Sequence, residues 1–235
     1  MSSQTHIFQS TQKRIILVSI GILRTALPYF FSMAWPFVIF KLFNKATWGE
    51  CVDTLLIVNL ISLILGWGTK KHMLKKFDLM PGRISDSWLE NTHSRALLFL
   101  PFFFFILISP FSWVMKAGIL LLLIGKFTYE SYEPLIEYKD KYTEAIIAEI
   151  IGFAAGFSLV IFMMDTINFE WIIFSMGLGE LFRALSLVVS IREVKYKLSI
   201  RYVNLNFFIQ AYPFFMIGFS TLLMFIADRV FVYIN

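Results

Sequence analysis

A bundle of membrane-spanning helices is the all-α fold this sequence predicts, on three observations. Apolar residues make up 58% of the 235-residue chain and charged residues only 16%, against roughly 25% charged in soluble domains, and the mean hydropathy is +0.71. The apolar residues gather into runs of about 20, the length a helix needs to cross about 30 Å of hydrocarbon. Those runs are continuously apolar, whereas strands of a membrane barrel alternate, and a helix satisfies its own backbone groups in lipid.

Seven runs qualify. The first, 15–43, has Lys13 and Arg14 ahead of it and Ser32-Met33-Ala34 inside it, a loose match to a signal-peptide cleavage site. It nevertheless runs on through Trp35 and contains Arg24, Pro28 and Pro36, which predicts an uncleaved, kinked helix. The second, 48–67, opens at Trp48-Gly49-Glu50 and closes at Gly66-Trp67-Gly68. In the long connection 68–95, Met73, Leu74, Phe77, Leu79 and Met80 alternate with lysines, which suits either a short helix in the membrane interface or a plain topogenic loop. The third run, 96–115, and the fourth, 117–138, are divided only by Lys116 and the turn-like Ser112-Trp113. The fifth, 143–164, carries Gly152 and Gly156, a small-xxx-small face for close helix packing. The sixth is 169–191 and the seventh 207–234, with Pro213 near its start.

Orientation follows from the basic residues. Lys13 and Arg14 precede the first run; Lys70, Lys71, Lys75, Lys76, Arg83 and Arg95 fill the second connection, Lys139 and Lys141 the fourth, and Arg192, Lys195, Lys197 and Arg201 the sixth. The odd connections hold only Lys41, Lys45 and Lys116, with Asp165 and Glu170 in the fifth. The N-terminus is therefore expected in the cytoplasm and residue 235 outside. This bias, with anionic lipid headgroups as counterpart, accounts for the net charge of +5 without nucleic acid. Cys51 is the single cysteine, and His6, His72 and His93 have no helical pairing, so no disulfide, metal or cofactor is expected.

Charged residues inside the spans carry the functional signal, because they are costly in hydrocarbon and face a bundle interior or a wet cavity. They are Arg24, Asp53, Lys126, Glu130, Glu133, Glu149, Glu180, Arg183, Asp228 and Arg229. In the fourth run Lys126, Glu130, Glu133 and Glu137 are spaced four, three and four apart, one stripe on one helix face. Glu137 and Glu133 approach the cytoplasmic headgroups, whereas Lys126 falls near the midplane. Glu180 and Arg183, three apart, form a neutralising pair, with contact from Arg183 to a ligand left open. Arg24 has no acidic residue at helical spacing, so it requires a partner on another helix, a water-filled cavity or an anionic substrate. Asp53, Asp228 and Arg229 lie close enough to the outer ends to meet water.

Ala26-Leu27-Pro28-Tyr29-Phe30 in the first run is echoed by Ala211-Tyr212-Pro213-Phe214-Phe215 in the seventh. Six spans per period is an even number, so both copies start from one side and the repeats are parallel. This echo, the motifs bounding the second run, and Asp228-Arg229 resemble lipid-linked oligosaccharide flippases of the multidrug/oligosaccharidyl-lipid/polysaccharide exporter superfamily. The resemblance implies two six-helix lobes around a central cavity, with 1–206 as the N-terminal lobe and 207–235 as the first helix of a second. It implies export of an undecaprenyl-pyrophosphate-linked glycan across the bacterial inner membrane by alternating access, and cavity cations that hold the pyrophosphate or an acidic sugar. Arg24, Lys126 and Arg183 are the cations available for that part, with Glu130, Glu180 and Asp53 as further cavity candidates and Pro28, Pro36 and Pro213 as gating bends. The expected partners are the lipid-linked glycan, membrane lipids and a second polypeptide supplying the other lobe.

Two other transport-related readings stay open: a cation-coupled drug exporter of the same superfamily, in which acidic residues dominate the cavity, and a non-transporting assembly partner. A membrane-bound transferase requires a His/Asp or multi-Asp cluster at the surface, and the sequence has none, so no enzyme activity is expected.

Overall fold

The computed structural model describes the backbone of residues 2–42, 45–163, 168–192, 194 and 199–234, and the side chains of 15–16, 18–41, 46–163, 168–192, 194, 199 and 201–224. The side chains of His6, Lys13, Arg14, Lys45, Asp165, Lys195, Lys197, Asp228 and Arg229 lie outside the described residues.

Among the described residues all regular structure is helical: α1 (Ser2–Leu42), α2 (Lys45–Gly66), α3 (Thr69–Leu79), α4 (Ile84–Ala96), α5 (Phe99–Ile108), α6 (Trp113–Tyr138), α7 (Tyr142–Phe162), α8 (Phe169–Ser190) and α9 (Asn206–Ile234), with 3-10 turns at Pro81–Arg83 and Ile200–Tyr202. Six stretches are long and apolar enough to cross a membrane: Val18–Lys41, Ala46–Leu79, Pro81–Ile108, Tyr142–Phe162, Phe169–Ser190 and Asn206–Met224. The fold therefore defines a multi-pass helical membrane protein. α6 is not among the six, because it carries Lys116, Lys126, Glu130, Glu133 and Glu137. The sequence expectation of seven spans differs from this count by that one helix.

α8 packs along its length between α6 and α7, and small residues are what let them approach. A Cβ at Gly125 of α6 would stand 2.6 Å from the Glu180 carbonyl carbon of α8, and one at Gly118 would stand 2.7 Å from the Phe174 nitrogen. On the opposite flank of α8, a Cβ at Gly152 would meet the Arg183 Cβ at 2.6 Å and the Gly179 carbonyl oxygen at 2.8 Å. Gly152 and Gly156 thus serve close packing, as their spacing predicts. Gly125→Val forces α6 and α8 apart and is expected to cost about 2 kcal/mol, the usual scale of overpacking. Thermal unfolding in detergent checks this, with Gly21→Ala, where nothing lies within 4 Å of the new Cβ, as the unaffected control.

The buried apolar residues form two clusters. One gathers Cys51, Val58, Leu65, Ile106, Ile119, Leu123 and Ile172; the other gathers Met73, Phe77, Trp88, Tyr132, Leu135, Ala148 and Leu187. α6 enters the first through Leu123 and the second from Tyr129 onward. Lys126 lies between those points, and Glu130, Glu133 and Glu137 interleave with the residues of the second cluster, so α6 carries a belt of ionisable groups from the edge of the first apolar core along the second. α1 leans on α7 by aromatic contact: Phe31 stacks on Phe153 at 4.2 Å, and Trp35 meets Phe153 and Phe157 edge-on, each at 6.1 Å.

The second connection is helical and packs onto the bundle. α3 continues α2 after a break at Trp67 (φ 41°) and Gly68 (φ 67°), a left-handed geometry that glycine adopts freely and tryptophan adopts under strain. α4 returns beside α3, and both bury Met73, Phe77, Trp88 and Leu89 against α6. Met73 and Phe77 pack inward, while Lys71 and Lys75 are exposed, as are Leu79 and Met80 at the end of the helix. The third run, 96–115, correspondingly divides into the last residue of α4, the ten-residue α5 and the start of α6.

α9 seats on the α2–α3 break. Trp67 stacks on Phe215 at 4.2 Å and its indole N–H donates to the Phe208 carbonyl at 3.0 Å. A Cβ at Gly68 would stand 2.6 Å from the Phe215 nitrogen, so only glycine fits there. Helix runs unbroken through Pro28 and Pro36 in α1, Pro134 in α6 and Pro213 in α9.

Candidate functional site

The α6 stripe organises the site because its four-three-four spacing turns every charge toward the same neighbours. At the end nearest Tyr138, Arg24 of α1 pairs with Glu137 at 3.0 Å and Glu133 at 3.3 Å. Lys70 of α3 bonds the same two carboxylates at 2.6 and 2.9 Å. Two cations and two carboxylates thus form one closed clasp joining α1, α3 and α6. Arg24 finds its partner on another helix, the first of the alternatives its isolation predicts, and it is only 9% exposed. Glu133 and Glu137, read from sequence as approaching the headgroups, are the acceptors of this clasp.

One turn further in, Glu130 accepts from the Ser62 hydroxyl at 2.9 Å, while its second oxygen is buried without a hydrogen-bond partner. That oxygen lies 2.9 Å from where a Gly66 Cβ would stand, so a side chain at Gly66 would displace it. Lys126 donates to the Asn59 side-chain carbonyl at 2.5 Å, a neutral acceptor. It forms no ion pair among the described residues, although Glu180 and Glu130 attract it and Arg183 repels it through space. Asn59, Ser62, Lys126, Glu130 and Thr221 line a cavity of about 340 Å³ between α2, α6 and α9. It continues into a second cavity of about 420 Å³ bounded by Lys70, Lys71, Glu133 and Phe214, the two sharing Glu130 and Thr221.

Behind α6, Arg183 is held on three sides. It pairs with Glu180 at 2.5 Å and Glu149 of α7 at 3.0 Å, and its guanidinium lies 3.9 Å from the centre of the Tyr129 ring. The pairing with Glu180 agrees with the i, i+3 spacing; Glu149 adds a second carboxylate that spacing alone does not assign to it. Arg183, Glu180 and Glu149 border a small cavity of about 140 Å³ that reaches Pro28 and Trp35 of α1.

Arg95 is the residue that sequence reasoning misplaced. Counted among the topogenic charges, it is 0% exposed and donates to the Thr69 hydroxyl at 2.6 Å, the Ser131 hydroxyl at 2.8 Å and the Gly66 and Phe127 carbonyls, each at 3.4 Å. Its guanidinium lies 4.7 Å from the Phe127 ring centre. It therefore caps the open carbonyl end of α2 and ties the α2–α3 break to α6. Two signals in the sequence point to it: Arg95 directly abuts the third apolar run, and Gly66-Trp67-Gly68 leaves carbonyls in need of a donor.

Asp53 is not drawn in. Ser62 is nine residues further along α2, about two and a half turns, so Asp53 lies on the opposite face, is exposed, and lines neither cavity. The assembled set holds five cations (Arg24, Lys70, Arg95, Lys126, Arg183) and five carboxylates (Glu130, Glu133, Glu137, Glu149, Glu180), so the belt is balanced in charge. Within it, Arg24, Lys70 and Arg183 are offset by direct ion pairs, Arg95 is buried under neutral acceptors, and Lys126 opens to a cavity.

This arrangement belongs to a multi-pass helical membrane protein with a charged belt inside its bundle. No protein-family model, curated protein or solved structure matches the chain.

Proposed function

We propose that this protein is a flippase lobe that moves an undecaprenyl-pyrophosphate-linked oligosaccharide across the bacterial inner membrane by alternating access, for surface polysaccharide synthesis. The observation that carries the reading is Lys126: its ammonium is satisfied by a neutral amide oxygen at the wall of a largely apolar cavity, so its charge is available to an anion. A pyrophosphate does not enter hydrocarbon bare, and a cation in a wet cavity offsets its desolvation. The prenyl tail stays in lipid, and no chemistry on the substrate is involved.

In this reading α6 is the fourth of seven spans, facing the cavity, and residues 207–235 begin a second lobe that faces the first. Arg24 and Arg183 act as positioning cations, because carboxylates already offset their charge. The clasp of Arg24, Lys70, Glu133 and Glu137 links three helices and exchanges partners as the lobe reorients, with Pro28, Pro36 and Pro213 as the points of bending.

The cation-coupled exporter is favoured by one specific observation, the buried Glu130 oxygen without a hydrogen-bond partner. Ligand binding to the purified protein separates the two readings. A prenyl-pyrophosphate oligosaccharide is expected to bind, with affinity falling about tenfold in Lys126→Ala, as loss of one charge-assisted contact implies. Binding of a lipophilic organic cation in its place, lost in Glu130→Gln, would favour the exporter.

A further inference from the structure

A separate cavity of about 360 Å³ opens between α3 and α9. Its polar wall is His72, Lys75 and Lys76 of α3 and Gln210 of α9; its apolar wall is Leu79, Met80 and Phe214. His72, Lys75, Lys76 and Leu79 fall at three- and four-residue spacing, so one face of α3 builds most of it. The stretch Ala46–Leu79 has 34 residues, about 50 Å at the helical rise. That exceeds the roughly 30 Å of hydrocarbon, which leaves this end of α3 among the headgroups on the Lys-rich side.

The charges of the cavity are unbalanced. Lys76 pairs with Glu90 at 2.5 Å, and Glu90 also accepts from the Asn204 amide. Lys75 is exposed and has no carboxylate partner among the described residues. His72 is 8% exposed, with its Nε2 lacking a hydrogen-bond partner. The cavity thus presents an unpaired ammonium, an unsatisfied imidazole nitrogen and an amide. Its rim is apolar: Leu79 is 70% exposed, and Ile209, next to Gln210, is 75% exposed.

We propose that this cavity binds the phosphate headgroup of an anionic phospholipid, with the acyl chains running along Leu79, Met80 and Ile209. Basic pockets at helix ends suit such headgroups, and the exposed apolar rim favours a phosphate that carries chains over a free one. The proposal rests on the membrane-spanning fold and is independent of the flippase reading, since Lys126 takes no part in it.

The test is native mass spectrometry of the full chain released from mixed phosphatidylglycerol and phosphatidylcholine nanodiscs. Phosphatidylglycerol is expected to be retained preferentially, and Lys75→Gln to lower that retention about fivefold, the effect of one lysine near an anionic lipid. Lys139→Gln, whose ammonium lies over the Tyr138 ring, is expected to change nothing. Equal retention of the two lipids, an unaltered Lys75→Gln protein, or equal loss in Lys139→Gln would overturn the site. Displacement of the lipid by excess inorganic phosphate would overturn the lipid in favour of a free anion.

Discussion

Lys126→Ala is expected to abolish export of the lipid-linked glycan while the protein still reaches the membrane and folds. Lys126 contributes one hydrogen bond to Asn59 and no ion pair among the described residues, so its truncation leaves both apolar cores and the Arg24 and Arg183 networks in place. The cavity meanwhile loses the charge that, in the proposed flippase, meets the substrate, and Glu130 beside it would then repel a pyrophosphate. Lys126→Arg keeps the charge but replaces a compact ammonium with a planar fork, and is expected to retain part of the activity. Complementation of polysaccharide export, alongside the amount of protein in the membrane fraction, measures both outcomes. Arg24→Ala behaves differently: it leaves Glu133 and Glu137 with Lys70 alone, so export and the amount of folded protein are expected to fall together.

Arg95→Leu is expected to have the largest effect on stability. The substitution removes one guanidinium that satisfies two hydroxyls and two carbonyls at the junction of α2, α3, α4 and α6. Each of those groups keeps one partner, since the Thr69 hydroxyl donates to the Gly66 carbonyl and the Ser131 hydroxyl to the Phe127 carbonyl; the cost is that of the lost hydrogen bonds to a charged group, about 1.5 to 3 kcal/mol each, moderated in membrane proteins where alternative partners are found. A net loss on the order of 3 kcal/mol follows, read as a large drop in thermal unfolding temperature in detergent and as reduced accumulation in the membrane. Arg95→Lys is expected to recover only part of it, because a single ammonium does not reach acceptors on both α3 and α6.

What the sequence made legible is what repeats within one helix. The Lys126, Glu130, Glu133, Glu137 stripe, the Glu180–Arg183 pair and the Gly152/Gly156 face all follow from three- and four-residue spacing. Partners distant in sequence were not legible: Arg24 meets Glu133 and Glu137 across 109 and 113 residues, and Glu149 meets Arg183 across 34. The second connection misled for a different reason. Counting lysines and arginines by loop treats each as solvated, yet Lys70 and Lys76 are in ion pairs and Arg95 is fully buried. The seat of α9 was visible only in part. Gly66-Trp67-Gly68 and Pro213-Phe214-Phe215 were recognised as separate motifs, while the stacking of Trp67 on Phe215 is a tertiary fact that neither motif states.

The most direct test of the account is transbilayer movement in proteoliposomes of a fluorescent prenyl-pyrophosphate-linked sugar, followed by quenching of the outer leaflet. The account predicts that vesicles holding the wild-type protein expose the inner-leaflet label to quencher, and that Lys126→Ala vesicles remain at the level of empty liposomes. Movement through Lys126→Ala as fast as through the wild-type protein would contradict it.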